Sequence, residues 1–261
     1  MLSHHQIVSR RMLLGIAGVA VLSSGSCGPS AGDRSTATPS GPPPAGTRSP
    51  AAVPGPPPAT HQARPTVDPL FELGASDRVV ALTLDDGPHP THTPEVLELL
   101  HQHGIQATFF LIGENAAQHP DLVRAIAGAG HHVANHTWTH PDLRHLPDSR
   151  VRSELERTSD LLQQTTGKPV AWFRAPGGDW SDVALRTCAE LGMRPMGWSV
   201  DPRDWACPGT EAITSRVLEG IRPGAIVLNH DGGGDRSQTI AALRGYLPVL
   251  LGEGYRFTTP R

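Results

Sequence analysis

The stretch Val79-Val80-Ala81-Leu82-Thr83-Leu84, followed directly by Asp85-Asp86-Gly87-Pro88, decides the fold. Its first six residues are apolar or β-branched, which is typical of a strand buried on both faces. The Gly-Pro pair ends the strand and predicts a loop that carries both aspartates. Two adjacent carboxylates repel each other unless a cation or a proton lies between them, although such pairs are also common at loops and helix starts without one.

Strand and helix patterns alternate along the rest of the chain. Thr93 is the predicted N-cap of a first helix that Gly104 ends. Further helices are predicted at 121–128, 149–165, 181–191, 211–220 and 236–252. Further strands are predicted at 107–112, 132–135, 170–173, 195–200, 225–229 and 256–259. This alternation favours a parallel sheet with outer helices, and about seven units predict an α/β fold of the deformed (β/α) barrel type. A doubly wound open sheet is the structural alternative.

Polar residues follow most of the predicted strands. They are Asp85, Asp86, His136, Arg174, the segment 201–205 and His230. Because the carboxyl ends of parallel strands meet on one face of a barrel, these residues predict a single active site.

His136 and His140 form the most informative histidine pair. A separation of four places both rings on one side of a helical or turn-like stretch. Two neutral imidazoles and one carboxylate suit Zn²⁺ or a similar ion and leave positions open for water and substrate. The remaining histidines show no comparable pairing and are interpreted as surface or packing residues.

Five segments taken together resemble the motifs of the polysaccharide deacetylase family, which includes chitin and peptidoglycan deacetylases and acetylxylan esterases. The segments are Thr83-Leu84-Asp85-Asp86-Gly87-Pro88, Asn135-His136-Thr137-Trp138-Thr139-His140, Arg174-Ala175-Pro176-Gly177-Gly178, Asp201-Pro202-Arg203-Asp204-Trp205 and Leu228-Asn229-His230. They occur in the family's order, and the resemblance covers about residues 75–261.

The resemblance implies a role for each matching polar residue. Asp85 is the implied general base, and Arg174 is the implied partner that keeps it ionised. His230 is the implied general acid, and Asp204 is the implied partner that keeps it oriented and protonated. The implied protein ligands of a divalent metal, expected to be zinc, are Asp86, His136 and His140.

Four residues are expected to contact the substrate. Trp205 and Leu228 are expected to form walls of a sugar-binding groove, since an aromatic face packs well against a sugar ring. Pro176 and Gly177 are expected beside the acetyl group, with a backbone N–H near Gly177 facing the oxyanion. Many relatives have an aromatic residue at the position of Gly177, so the shape of the groove is expected to differ here.

The resemblance implies a metal-dependent hydrolase that removes acetyl groups from a carbohydrate polymer. The favoured substrate is N-acetylglucosamine in chitin-type oligomers or peptidoglycan, and the first alternative is an O-acetyl esterase acting on acetylxylan. An inactive metal-containing carbohydrate-binding protein is a remote alternative, because such a protein would need no base, ion-pair partner and acid together. The formal net charge of −3 shows no basic excess, so nucleic acid is not expected as a partner.

Residues 1–27 are predicted to be an export signal. Arg10 and Arg11 precede a short apolar run that ends near Leu22. The arginine pair is compatible with either the twin-arginine or the general secretory route. Cys27 follows small residues, as at a lipoprotein cleavage site, and ordinary secretory cleavage is the alternative. We therefore expect an exported protein, either anchored to the membrane by lipid on Cys27 or secreted.

Residues 28–66 are predicted to be a disordered linker rich in Pro, Ser and Ala, because they contain too few large apolar residues for a core. Residues 67–261 then form the catalytic domain. Two cysteines fall within this domain, Cys188 and Cys207. In an oxidising compartment they pair as a disulfide if they meet in the fold; two buried thiols are the alternative.

Overall fold

The computed structural model describes residues 67–74 and 77–260. The predicted export signal at 1–27, with Cys27, and the predicted linker at 28–66 lie outside the described residues. Among the residues that the structure describes, no helix has the length and apolar character needed to cross a membrane.

The described chain has seven strands and seven α-helices, with one helix between successive strands except for two between the second and third strands. The strands are β1 (Val79–Asp85), β2 (Thr108–Leu111), β3 (His132–Asn135), β4 (Trp172–Phe173), β5 (Arg194–Pro195), β6 (Ile226–His230) and β7 (Arg256–Phe257). The helices are α1 (His92–Gln102), α2 (Gly113–Gln118), α3 (Pro120–Gly128), α4 (Asp148–Thr166), α5 (Asp182–Glu190), α6 (Thr210–Gly220) and α7 (Ser237–Gly252).

All seven strands are parallel and curl into a deformed barrel. The order is β5-β4-β3-β2-β1-β6, and β7 pairs with the start of β1. Irregular chain completes the curl, because Val200 bridges Val227 on β6 and Leu70 bridges Met196 just after β5. Strands β1 to β5 are neighbours in sequence order without a reversal, which supports the barrel over the doubly wound alternative.

Strand β1 separates two apolar layers. Val80, Leu82 and Leu84 belong to the large core shared with the helices. Because side chains alternate along a strand, Ala81, Thr83 and Asp85 share the opposite face. Ala81 belongs there to a smaller cluster inside the barrel, which also contains Phe110, Ala134, Trp172, Met196 and Ile226. The interior is thus apolar at the start of β1 and becomes polar at its carboxyl end, where the site begins.

Two local predictions were wrong, and one helix was missed. Thr93 does not cap α1: it lies inside the first turn, where its hydroxyl contacts Asp231. The strand predicted at 195–200 is only Arg194–Pro195, and the chain then leaves the ladder until Val200. The six-residue helix α2 was not predicted, because it is shorter than two turns and shows no clear apolar period.

The two cysteines of the domain are free. Cys188 lies on the buried face of α5, and burial raises the pKa of its thiol to about 12. Cys207 is exposed in the loop that precedes α6. The disulfide alternative is therefore wrong, and the buried-thiol alternative holds for Cys188 alone.

Candidate active site

Asp85 is held at the end of β1 by a buried arginine. Arg174 Nη1 donates to Asp85 Oδ1 at 2.7 Å and to Thr83 Oγ1 at 2.9 Å. The other guanidinium nitrogens donate to backbone carbonyls of Met196 and Gly197 at 3.0 and 2.8 Å. The guanidinium thus donates from all three of its nitrogens, and Asp85 Oδ2 is the carboxylate oxygen that faces His136.

Asp86, His136 and His140 meet beside Asp85. One ligand atom from each residue lies within 4.8 Å of the other two. His136 Nδ1 is 2.8 Å from the Arg174 carbonyl oxygen, which can only accept, so Nδ1 carries the proton and Nε2 presents a lone pair. The stretch that carries both histidines is a turn, with left-handed φ of 67° at Thr137 and 56° at His140.

This donor set fits a divalent cation. Asp86 Oδ1 is buried, and the described residues give it no hydrogen-bond donor. The Nε2 atoms of His136 and His140 lie 3.5 and 3.3 Å from it, so electron-pair donors face one another. Burial opposes ionisation of Asp86, but the contact with His136 and the nearby imidazoles hold its pKa below the usual range. Burial, and secondly the neighbouring imidazole of His136, lower the pKa of His140, which favours the neutral ligand form.

His230, at the end of β6, is paired with Asp204. His230 Nδ1 donates to Asp204 Oδ1 at 2.8 Å, which directs Nε2 away from the pair. Burial lowers the pKa of His230, but the hydrogen bond and charge of Asp204, with the charges of Asp85 and Asp86, raise it to about 9. The imidazolium therefore persists at neutral pH beside the carboxylate cluster, as a proton donor requires.

Comparison with known proteins agrees with this geometry. A family model described as polysaccharide deacetylase matches residues 73–196. A peptidoglycan-N-acetylglucosamine deacetylase of Bacillus cereus is 40% identical over 200 residues, which cover 76% of this chain and 93% of the relative. The chain belongs to the polysaccharide deacetylase family. The predicted family, fold and activity are therefore confirmed, and the activity of this family depends on a metal.

Two further comparisons extend the similarity of this polysaccharide deacetylase. A chitooligosaccharide deacetylase of a Bradyrhizobium species is 45% identical over 190 residues, which cover 68% of this chain and 87% of the relative. The crystal structure of the Bc1960 peptidoglycan N-acetylglucosamine deacetylase superposes with a TM-score of 0.71 at 36% identity. That superposition covers 73% of this chain and 89% of the other.

The residues expected to contact substrate lie in different settings. Trp205 is 49% exposed in a short 3₁₀ turn (Asp204–Ala206), whereas Leu228 is buried on β6, two residues before His230. Pro176 is buried and Gly177 is exposed. The left-handed φ of 63° at Gly177 favours glycine and is disfavoured for an aromatic residue. The exposed side chain of Trp205 thus follows directly on Asp204, the carboxylate that pairs with His230.

Several supporting residues escaped the sequence analysis. Thr239 Oγ1 on α7 donates to Asp204 Oδ2 at 2.9 Å. Asp231 is buried behind the Asp85-Asp86 loop and receives a hydrogen bond from Thr93. Its burial and the charges of Asp86 and Asp85 raise its pKa to about 7. The only signal for Asp231 was its position directly after His230, and for Thr239 there was none.

A glycine lets the loop after β6 pack against the metal-ligand loop. A side chain on Gly232 would collide with the carbonyl oxygen of Asp86. The buried guanidinium of Arg236 holds this loop by donating to the Gly232 and Gly233 carbonyls, each at 2.7 Å. This packing helps to keep Asp86 in its left-handed conformation, at a φ of 70°.

Proposed function

We propose that this polysaccharide deacetylase uses zinc and removes N-acetyl groups from N-acetylglucosamine units of chitin-type oligomers or peptidoglycan. The observation that carries the proposal is the meeting of a base candidate, an acid candidate and a three-residue ligand set at one end of the barrel. Relatives named for both substrates support the choice of sugar. Asp86, His136 and His140 would hold the ion, which supplies Lewis-acid chemistry for hydrolysis of the acetyl group.

Asp85 acts as general base in this proposal. Its Oδ1 is occupied by Arg174, while its Oδ2 lies 3.7 Å from His136 Nε2, on the side of the ligand set. Oδ2 is therefore placed to take the proton of a water that attacks the acetyl carbon. Arg174 is a positioning residue, because it touches Asp85 and is fully buried.

His230 acts as general acid. Its Nδ1 proton is shared with Asp204, so Nε2 delivers a proton to the leaving amine as the C–N bond breaks. Asp204 Oδ2 also accepts from the Thr239 hydroxyl and from the His230 backbone N–H, and these bonds fix the carboxylate that orients the His230 ring. Trp205 follows Asp204 directly and is placed to pack against a sugar ring.

Replacing Asp204 with Asn should move the alkaline limb of the kcat/KM profile to lower pH. His230 must be protonated to act, so activity falls as pH rises through its pKa, which Asp204 raises to about 9. Asn can still accept from Nδ1 but carries no charge, so the His230 pKa falls and the limb moves with it. His230→Ala should remove the limb. An alkaline limb at the parental pH in D204N would show that another group controls it.

Acetate release tests the proposed substrate. The purified protein should release acetate from N-acetylated chitooligosaccharides, and the Trp205→Ala variant should show a raised KM with a smaller change in kcat. Acetylxylan is the matched alternative substrate. Release from acetylxylan alone would replace the amidase proposal with the esterase, while release from neither would leave the carbohydrate class wrong.

We also propose that the protein is exported and anchored by lipid on Cys27, as the N-terminal sequence predicts. Because residues 28–66 are predicted to be a linker outside the core, a chain beginning at Thr66 should keep the kcat/KM of the mature protein on soluble oligomers. The matched control begins at Asp77 and lacks Leu70 and Leu73, whose backbones bond to Pro195 and Gly224 at 2.9 and 2.8 Å. The control should have a lowered melting temperature. Loss of activity in the longer variant would put the domain boundary before residue 66.

A further inference from the structure

Glu154 lies on α4 directly beneath the turn that carries His136 and His140. Its carboxylate is almost fully buried. Oε2 accepts the backbone N–H groups of Trp138 and Thr139 at 2.9 and 2.7 Å. Oε1 accepts the Thr139 hydroxyl at 3.1 Å. One side chain from a helix thus receives two consecutive amides between the two histidines.

The backbone N–H groups of the turn at 137–140 donate to side chains instead of to backbone carbonyls. Thr137 and His140 both have left-handed φ, which is unfavourable for residues with a Cβ. Side chains accept the neighbouring amides: Thr137 N–H donates to Asn135 Oδ1 at 2.8 Å, and His140 N–H donates to Thr137 Oγ1 at 3.1 Å. Glu154 accepts the two amides that lie between these.

The opposite side of the turn faces α2. The N–H groups of Gly113 and Glu114, at the start of that helix, donate to the Thr137 and Trp138 carbonyls at 2.9 and 3.0 Å. The turn is therefore clamped between α2 on its carbonyl side and Glu154 on its amide side. Removing Glu154 releases only the amide side, immediately before His140.

We infer that Glu154 is a positioning residue that sets the affinity of the metal site by fixing His140 relative to His136 and Asp86. The inference rests on the proposed zinc site. Its physical basis is geometric: a ligand set binds tightly when its members are held in place before the ion arrives, and residues behind the ligands typically contribute ~10–100-fold in affinity. Glu154 touches neither the ligand atoms nor the expected substrate, so it acts through the turn, where it accepts two backbone amides and the Thr139 hydroxyl; its only other charged neighbour among the described residues is Arg150, 3.8 Å from Oε1 at the surface.

The test is the Zn²⁺ dissociation constant of the metal-stripped protein, measured by competition with a chromogenic chelator. E154A should bind Zn²⁺ ~10–100-fold more weakly than the parent. E154Q should bind close to the parental affinity, because its carbonyl oxygen accepts both amides and its amide nitrogen can donate to Thr139 Oγ1. E156A is the matched control on the same helix; Glu156 pairs with Arg152 at the surface and should leave the affinity unchanged.

Melting temperatures of the stripped proteins separate positioning from folding. If Glu154 had a purely structural role, E154A would melt at a lower temperature but would still bind Zn²⁺ with the parental dissociation constant at temperatures where it is folded. That result would overturn the inference. Equal weakening in E154A and E154Q would also overturn it, since charge would then matter instead of amide acceptance. If E154A does not fold, E154D decides: its carboxylate is set back by one methylene and should weaken binding. Failure of the parent to bind Zn²⁺ would instead refute the proposed metal site itself.

Discussion

The Asp85→Asn variant is expected to lose about 10²–10⁴ in kcat on N-acetylated oligomers while keeping its metal. Asparagine can still accept from Arg174 Nη1, so the buried guanidinium keeps its hydrogen bond, and the carbonyls of Met196 and Gly197 continue to hold it. What it lacks is the capacity to take a proton at the position of Oδ2. The measurement pairs initial rates of acetate release with elemental analysis of the same sample.

Asp201→Asn provides the matched control for a carboxylate at the same end of the barrel. Asp201 is exposed, and its Oδ1 accepts the backbone N–H of Arg203 at 2.7 Å. This variant should retain most of the parental turnover. If D85N were near parental and D201N were the impaired variant, Asp201 would replace Asp85 as the base.

The His136→Ala variant is expected to lose stoichiometric metal altogether. His136 is buried, its ring is oriented by the Arg174 carbonyl, and its Nε2 faces both Asp85 and Asp86. Alanine leaves these two carboxylates close together without the imidazole, so turnover should fall with the metal content. His140→Ala should behave in the same way, although its ring is more exposed to solvent.

Elemental analysis after gel filtration measures this loss. His101→Ala is the control, because His101 lies exposed near the end of α1 and is not part of the ligand set. The parent and the control should each carry one metal per chain. Undiminished metal in both His136→Ala and His140→Ala would refute the ligand assignment.

The sequence predicted the polar centre of the site because its residues come directly after buried strands. The β1 run ends at Asp85 and the β6 run ends at His230, and these two positions pair in the parallel ladder. The same logic placed His136 and Arg174, which follow β3 and β4. The position of these residues after apolar strand runs was enough to predict that they meet, since parallel strands bring their carboxyl ends to one face.

The supporting contacts could not be predicted in this way. Glu154 reaches the histidine turn from 16 residues away, and Thr239 reaches Asp204 from 35 residues away, each on a helix whose pattern indicates only which face is buried. The left-handed backbone at Asp86 was equally hidden, because no glycine marks it. Such features depend on how elements pack, which local pattern does not record.

Metal-dependent acetate release tests the central proposal most directly. The full chain is stripped with a chelator, dialysed and assayed on N-acetylated chitooligosaccharides before and after addition of one equivalent of Zn²⁺. The assigned ligand set, Asp86, His136 and His140, predicts that turnover is lost on stripping and restored by the single equivalent in the parent but not in His136→Ala. Undiminished release of acetate by the stripped parent would contradict the account.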